Sequence, residues 1–271
     1  MPEWVFWGAF GLIIGSFLNV LILRHGIRGI LGRSSCPSCK RELAWFELVP
    51  VLSWIALRGK CRTCRARISV QYPLVEFLTG AGFAVIGLAP LLFAQQVLAC
   101  AIFALFISIA VYDLYHTIIP DVWSYPLALL ALLYALVGGA GAWELLAGPL
   151  VALPLFCFWF FSKGAWMGLG DAKLALSIGF LLGILDGFLA LMLAFVVGAF
   201  VGVFILIPLP IVVRSLRHAG ITSRIRAKEI TMKSEVPFGP FLICATLLVW
   251  FSQVYALGLA AHLVDFLSLN F

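Results

Sequence analysis

Long apolar stretches separated by short polar segments dominate the chain. The apolar runs lie near 4–23, 72–89, 91–111, 122–140, 143–161, 171–185, 187–210 and 238–262. Most are close to the length of about twenty residues that an α-helix needs to cross a bilayer. Between them stand four polar segments, 24–71, 112–121, 162–170 and 211–237. This pattern predicts an all-α, polytopic membrane protein of about eight transmembrane helices. Its natural divisions are a first transmembrane helix at 1–23, a large polar loop at 24–71, and a membrane core over 72–271 that carries a basic loop at 211–237.

Composition sharpens the picture. Of 271 residues, 63% are hydrophobic and only 11% charged, and the mean hydropathy is +1.12, well beyond the roughly half-apolar make-up of a soluble domain. The net charge of +6 raises the question of a nucleic-acid partner, and placement answers it. All 18 Lys and Arg residues fall in the four polar segments, or, for Lys173, just inside the next helix. One-sided basic charge is the positive-inside signature of cytoplasmic loops, so the partner is the lipid bilayer and no nucleic acid is expected. Run 4–23 lacks a basic segment before it and is followed by Arg24 and His25, which reads as a retained anchor rather than a cleaved signal.

The first loop holds four of the seven cysteines, as Cys36-Pro-Ser-Cys39 and, after a gap of 21 residues, Cys61-Arg-Thr-Cys64. Two Cys-x-x-Cys pairs can enclose one tetrahedral zinc, and a short loop poor in apolar residues gains its folding energy from such a metal. Four thiolates leave no open position for water, so this zinc is expected to be structural. A pair of redox dithiols is the competing reading, disfavoured in a reducing compartment. Cys100, Cys157 and Cys244 stand singly in apolar runs and read as packing residues.

With 12 Asp and Glu residues in the whole chain, each acid near a helix carries weight, because ionisable groups at membrane depth mark function. Asp113 follows an apolar run, and Asp171 follows Gly168-Leu169-Gly170 just before another. The topology brings both to the cytoplasmic boundary. Two close carboxylates share a proton, one acting as base on a water while its protonated partner hydrogen-bonds a peptide carbonyl. Gly168 and Gly170 would let a substrate strand approach the backbone. The plainer roles are an N-cap for Asp171, a solvated helix end for Asp113, a helix cap for Asp121 and polar support for His116. Glu47, Glu76 and Glu235 divide between helix-start roles and function. Paired carboxylates also fit a proton or cation relay in a transporter, although relay sites favour the midplane between repeats. A zinc-bearing assembly scaffold without catalysis is the third reading.

At these residues the chain resembles the bacterial prepilin peptidases, or type IV leader peptidases, of the GxGD class of membrane aspartyl proteases. The resemblance rests on Gly15-Ser16-Phe17-Leu18-Asn19-Val20, on the paired cysteines with Glu47-Leu48-Val49-Pro50 and Tyr72-Pro73-Leu74-Val75-Glu76, on Asp113 with Ile119-Pro120-Asp121, on Gly168-Leu169-Gly170-Asp171, and on Pro237-Phe238-Gly239-Pro240. It implies Asp113 and Asp171 as catalytic and Cys36, Cys39, Cys61 and Cys64 as metal ligands. It implies a multi-pass protein of the bacterial inner membrane with its active site facing the cytoplasm. The implied reaction is removal of the basic leader from prepilins or pseudopilins, followed in many members by methylation of the new N-terminus with S-adenosylmethionine. No glycine-rich fingerprint identifies residues for that methyl donor.

Overall fold

The computed structural model describes residues 2–26, 32–206 and 237–256, and these are helical with no strand among them. The helices are α1 (Glu3–Arg24), the short α2 (Leu52–Ala56), α3 (Gln71–Leu88), α4 (Phe93–His116), α5 (Asp121–Val137), the single turn α6 (Ala142–Leu145), α7 (Ala147–Ser162), α8 (Leu169–Leu182), α9 (Ile184–Val201) and α10 (Gly239–Val254). A 3₁₀ turn, Trp45–Leu48, precedes α2, and α9 runs on into a wider π-type turn at Gly202–Leu206. Five helical stretches are long and apolar enough to cross a membrane, namely α1, α3, α4, α6 with α7, and α9 with its extension; α5 and α10 are shorter apolar helices. The basic loop expected at 211–237, with Glu235, lies outside the described residues except for Pro237.

Close packing comes from small residues. On α1, a Cβ at Gly11 would sit 2.7 Å from the Thr79 carbonyl oxygen, and one at Gly15 would sit 2.7 Å from the Glu76 Cα, so α1 and α3 approach backbone to backbone. Between α7 and α8, Gly179 does the same against the Ala147 carbonyl. Lipid tails supply no hydrophobic drive between helices, and it is this close approach that makes their association favourable. The shared core contains Phe83, Phe106, Leu127, Leu174, Ile178, Leu242 and Trp250, all fully buried. Phe6, Ile13, Phe17, Leu129 and Val196 face outward as an apolar belt of the kind a bilayer covers. Buried hydroxyls are satisfied within their own helices, Thr79 on the Val75 carbonyl and Thr246 on the Leu242 carbonyl, each at 2.7 Å.

Contacts sort the helix ends into two faces. At one face Lys173 reaches Asp121, Tyr115 reaches Gln71, Gly239 reaches Asp113, and His25 packs on Tyr112 and Trp123. At the other, Tyr255 donates to the Val85 carbonyl at 2.5 Å and Gln253 bonds the Leu182 carbonyl at 3.0 Å and the Asp186 carboxylate. Every described Lys and Arg belongs to the first face or to the loop between α1 and α3. The second carries acids such as Asp186 and Glu144.

Candidate functional site

Asp113 lies in the last turn of α4, which runs five residues past the apolar run 91–111, to His116. The side chain therefore projects from regular helix. Asp113 is buried, at 4% exposure. Its Oδ2 accepts the backbone N–H of Gly239 at 3.0 Å, across 126 residues of sequence. Only glycine fits there, because a Cβ on residue 239 would stand 2.6 Å from the same oxygen. The start of α10 is thus built around the Asp113 carboxylate.

Asp171 is the third residue of α8, where Gly168 holds the N-cap position in extended backbone. The N-cap reading of Asp171 is accordingly corrected: the carboxylate reaches back to the Gly168 N–H from the first turn. Ile119 lies against both Gly170, beside Asp171, and Gly239, which bonds Asp113, so the two carboxylates stand in one neighbourhood. Gly170 leaves room that the chain itself uses, since a Cβ there would meet the Ile119 Cβ at 2.9 Å. At Gly168 a Cβ would make ordinary contact with Asp171 Oδ2, at 3.6 Å. Of the two glycines, then, Gly170 seats the 117–120 turn against α8, while Gly168 lies beside the carboxylate.

Asp121 begins α5 without capping it through its side chain, which corrects the capping expectation. It pairs instead with Lys173 at 2.5 Å, tying the start of α5 to that of α8. The Lys173 ammonium also sits 4.9 Å above the Tyr125 ring. His116 joins an aromatic group with Tyr112, Trp123 and His25, with ring centroids 4.3 to 5.3 Å apart. His25 and Gly239 were not singled out as site residues by the sequence. The Pro237-Phe238-Gly239-Pro240 segment was a local signal for Gly239, whereas its partner is visible only in three dimensions.

The loop between α1 and α3 folds around its cysteines. Cys36 N–H donates to the Arg41 carbonyl at 2.9 Å and Lys40 N–H to the Cys36 carbonyl at 3.0 Å. At the second pair, Cys61 N–H donates to Ala66 at 2.8 Å and Arg65 N–H to Cys61 at 3.0 Å. Bridges Ser35–Glu42 and Lys60–Arg67 close the two turns at equivalent offsets. Lys40 and Arg65, each just after a second cysteine, share φ +59°. The four Sγ atoms lie within 4.8 Å of one another and none forms a disulfide. The Cys36 to Cys64 separation is 3.7 Å, close to the edge of about 3.8 Å that a tetrahedron with Zn–S bonds of about 2.3 Å demands. Backbone N–H groups of Cys64 and Thr63 pull the Cys61 thiol down to about 6. That of Cys39, with Ser38, lowers Cys36. Against the N–H of Ala66, desolvation and the neighbouring thiols push Cys64 up to about 11. Such a cluster needs a cation to hold four thiolates, so the donor set fits zinc.

A second layer locks this loop to the bundle. Arg41 donates to Glu47 at 2.6 Å and also bonds Cys61, while Glu47 accepts the Ala44 N–H at 2.9 Å. The Arg41 guanidinium holds the Glu47 carboxyl below its usual range. Glu76 on α3 accepts the Val51 N–H at 2.7 Å and the Ser16 hydroxyl. Asn19 donates to the Tyr72 carbonyl at 3.1 Å. The Gly15–Val20, Glu47 and Tyr72–Glu76 motifs are therefore one structural unit joining α1, the loop and α3.

Residues 9–89 match the model of the bacterial peptidase A24 N-terminal domain, and residues 100–203 match that of the type IV leader peptidase family. A prepilin leader peptidase/N-methyltransferase of Stutzerimonas stutzeri is 30% identical over 289 residues, covering 91% of this chain and 90% of the relative. The protein so named from Bacillus subtilis (strain 168) is 35% identical over 185 residues, 64% of this chain and 71% of the relative. That from Myxococcus xanthus (strain DK1622) is 36% identical over 195 residues, 66% of this chain and 56% of the relative. With it, and with a type 4 prepilin-like proteins leader peptide-processing enzyme of Escherichia coli, the match spans only 56% and 50% of the relative's length. No solved structure matches the chain. The similarity to the Stutzerimonas protein runs nearly end to end. The chain belongs to the type IV leader peptidase family.

Proposed function

We propose that this chain is a prepilin leader peptidase of the bacterial inner membrane, a membrane aspartic endopeptidase that removes the basic leader of prepilins or pseudopilins at the cytoplasmic face. The observation that supports the reading is that Ile119 lies against both Gly170, beside Asp171, and Gly239, which bonds Asp113, at the face that bears the basic residues. A prepilin presents an apolar helix in the bilayer and a charged leader in the cytoplasm. Its scissile bond then lies at the level of these carboxylates.

In this mechanism the two carboxyl groups hold one proton between them. The ionised aspartate takes a proton from a water molecule as it attacks the scissile carbonyl. The protonated partner hydrogen-bonds the carbonyl oxygen and stabilises the tetrahedral intermediate. The Gly239 N–H fixes one Asp113 oxygen, so the orientation of that carboxylate is set before substrate arrives. The transporter reading loses ground because the pair sits at one end of the bundle rather than at mid-depth.

Zinc in the tetracysteine cluster, held by Cys36, Cys39, Cys61 and Cys64, would supply folding energy to the loop and no chemistry to the peptide bond. The names of the relatives support a second reaction, N-methylation of the new amine with S-adenosylmethionine. A cavity of about 350 Å³ beside Cys61 is lined by Arg58, Lys60, Arg62 and Arg65 and does not suit a cationic sulfonium, so no methyl-donor ligands are assigned.

The decisive experiment is cleavage of a prepilin by the purified protein in detergent. Wild type trims the substrate, whereas Asp113→Asn and Asp171→Asn each abolish trimming with the helical content and zinc stoichiometry intact. Retained cleavage in either variant would reject the dyad. Mass spectrometry of the product with and without S-adenosylmethionine tests the methyl transfer, and an unmodified amine in both would remove it.

A further inference from the structure

No carboxylate occurs between Glu47 and Glu76, while Arg58, Lys60, Arg62, Arg65 and Arg67 crowd into the same stretch. Four of these cations line a single cavity of about 350 Å³ next to Cys61. The surrounding surface of the loop is unusually apolar for a segment outside the helix bundle. Trp45 is 80% exposed, and Leu52 and Ile55, one turn apart on α2, are 66% and 59% exposed. The Arg62 guanidinium lies 5.5 Å from the centre of the Phe46 ring, which joins the basic and apolar surfaces.

Where this surface sits follows from one hydrogen bond. Val51, immediately before α2, donates to Glu76 in the second turn of α3. On α3 the neighbours of Glu76, Leu74 and Phe77, are 52% and 58% exposed and belong to the outward apolar belt. The residue that leads into α2 is thereby pinned at the level where the lipid-facing surface of α3 begins. Val70, just before α3, is exposed as well and continues the apolar surface toward the loop.

We propose that the 3₁₀ turn and α2 lie in the bilayer interface, with Trp45, Leu52 and Ile55 inserted among the headgroups, and that the cavity at Arg58, Lys60, Arg62 and Arg65 holds the phosphate of an anionic lipid. Apolar insertion combined with basic charge is the recipe for binding anionic leaflets, and aromatic rings favour that depth. S-adenosylmethionine is a poor occupant, since its sulfonium would face four cations. The basic leader of a prepilin is repelled for the same reason. Such an anchor would hold the zinc loop flat beside the bundle and leave the Asp113 and Asp171 face to the substrate.

The test uses the full chain in nanodiscs of phosphatidylcholine alone or mixed with phosphatidylglycerol, with acyl chains brominated near the headgroup. Trp45 emission is isolated by subtracting the Trp45→Phe signal. Quenching of Trp45 is expected in the anionic discs and much less in the neutral ones. It should fall to the neutral-disc level in an Arg58→Gln/Lys60→Gln/Arg65→Gln variant that retains its zinc. Independently of any variant, raising salt to about 1 M, where the screening length shrinks to about 3 Å, should lower quenching in wild type. An unquenched Trp45 in anionic discs, or quenching indifferent to lipid charge and salt, would overturn the proposal. Quenching that appears only on addition of a prepilin would assign the surface to substrate instead. Release of the loop by millimolar inorganic phosphate in detergent, without any lipid dependence, would reassign the cavity to a free anion.

Discussion

The tetracysteine loop and the aspartate site are built from opposite resources. The loop has little apolar core, and its two turns are held by backbone hydrogen bonds within six residues of each first cysteine and gather four thiols that could hold a metal. The aspartate site is the reverse, with each carboxylate positioned by helices packed from distant parts of the chain and Asp113 bonded to a residue 126 positions away. One region rests on local spacing and on thiols placed to hold a metal, the other on membrane packing. The two should therefore fail independently, and that independence can be tested.

The largest effect is expected from removing zinc. Binding of a structural zinc is worth on the order of 10 kcal/mol to small folds that rely on it, so chelation should unfold residues 33–68 and leave the helices of the bundle in place. Limited proteolysis with circular dichroism would show cleavage confined to the loop. Because protons compete for the thiolates, zinc retention should weaken as pH falls. Loss of helical signal in parallel with zinc would mean the regions are one cooperative unit.

Next in size come Asp113→Asn and Asp171→Asn, each expected to cost more than about 10³-fold in kcat/KM, or about 4 kcal/mol of transition-state stabilisation. Zinc content should be unchanged in both. Gly239→Ala follows. The new Cβ would collide with the Asp113 carboxylate, and a displacement on the order of 1 Å costs about 10²-fold through geometry alone. The loss should appear in kcat with KM nearly preserved. Full activity would show that the α10 start does not position Asp113.

How far these regions were legible in the sequence follows from the same contrast. The cysteine spacing is local information, and the cluster appears where it was read. The helices also arise from local apolar runs, so α1, α3 and α4 begin and end within a few residues of expectation, except that α4 continues past Asp113 to His116 because its last turn is still satisfied by the bond from the Thr117 N–H to the Asp113 carbonyl. Partners made by packing were not legible. The Gly239 bond, the use of Gly170 by Ile119 and the link from Glu76 to Val51 depend on which helices touch, and no spacing rule encodes that. The one-sided basic charge was the exception. It is a global constraint written along the chain, and it implies a common level for Asp113 and Asp171.

The smallest expected effect concerns Asp121 and Lys173, the pair that most resembles a catalytic arrangement by position alone. Asp121 lies two residues from Ile119 at the same site, yet its side chain is 59% exposed and its partner is an ammonium rather than a second carboxylate. An exposed ion pair contributes at most about 1 kcal/mol, so Asp121→Asn and Lys173→Gln should each lower thermal stability slightly, and a double-mutant cycle should give a coupling below that value. Prepilin cleavage should fall by less than about tenfold, which is the kinetic equivalent of that energy. The sign of the salt dependence separates the roles further. High salt should erase the difference between wild type and Asp121→Asn, because screening weakens an exposed pair, and should leave the defect of Asp113→Asn unchanged, because that carboxylate is buried. If Asp121→Asn instead abolished cleavage as fully as Asp113→Asn, at every salt concentration, the exposed aspartate would be the partner of Asp171 and the buried one its structural support.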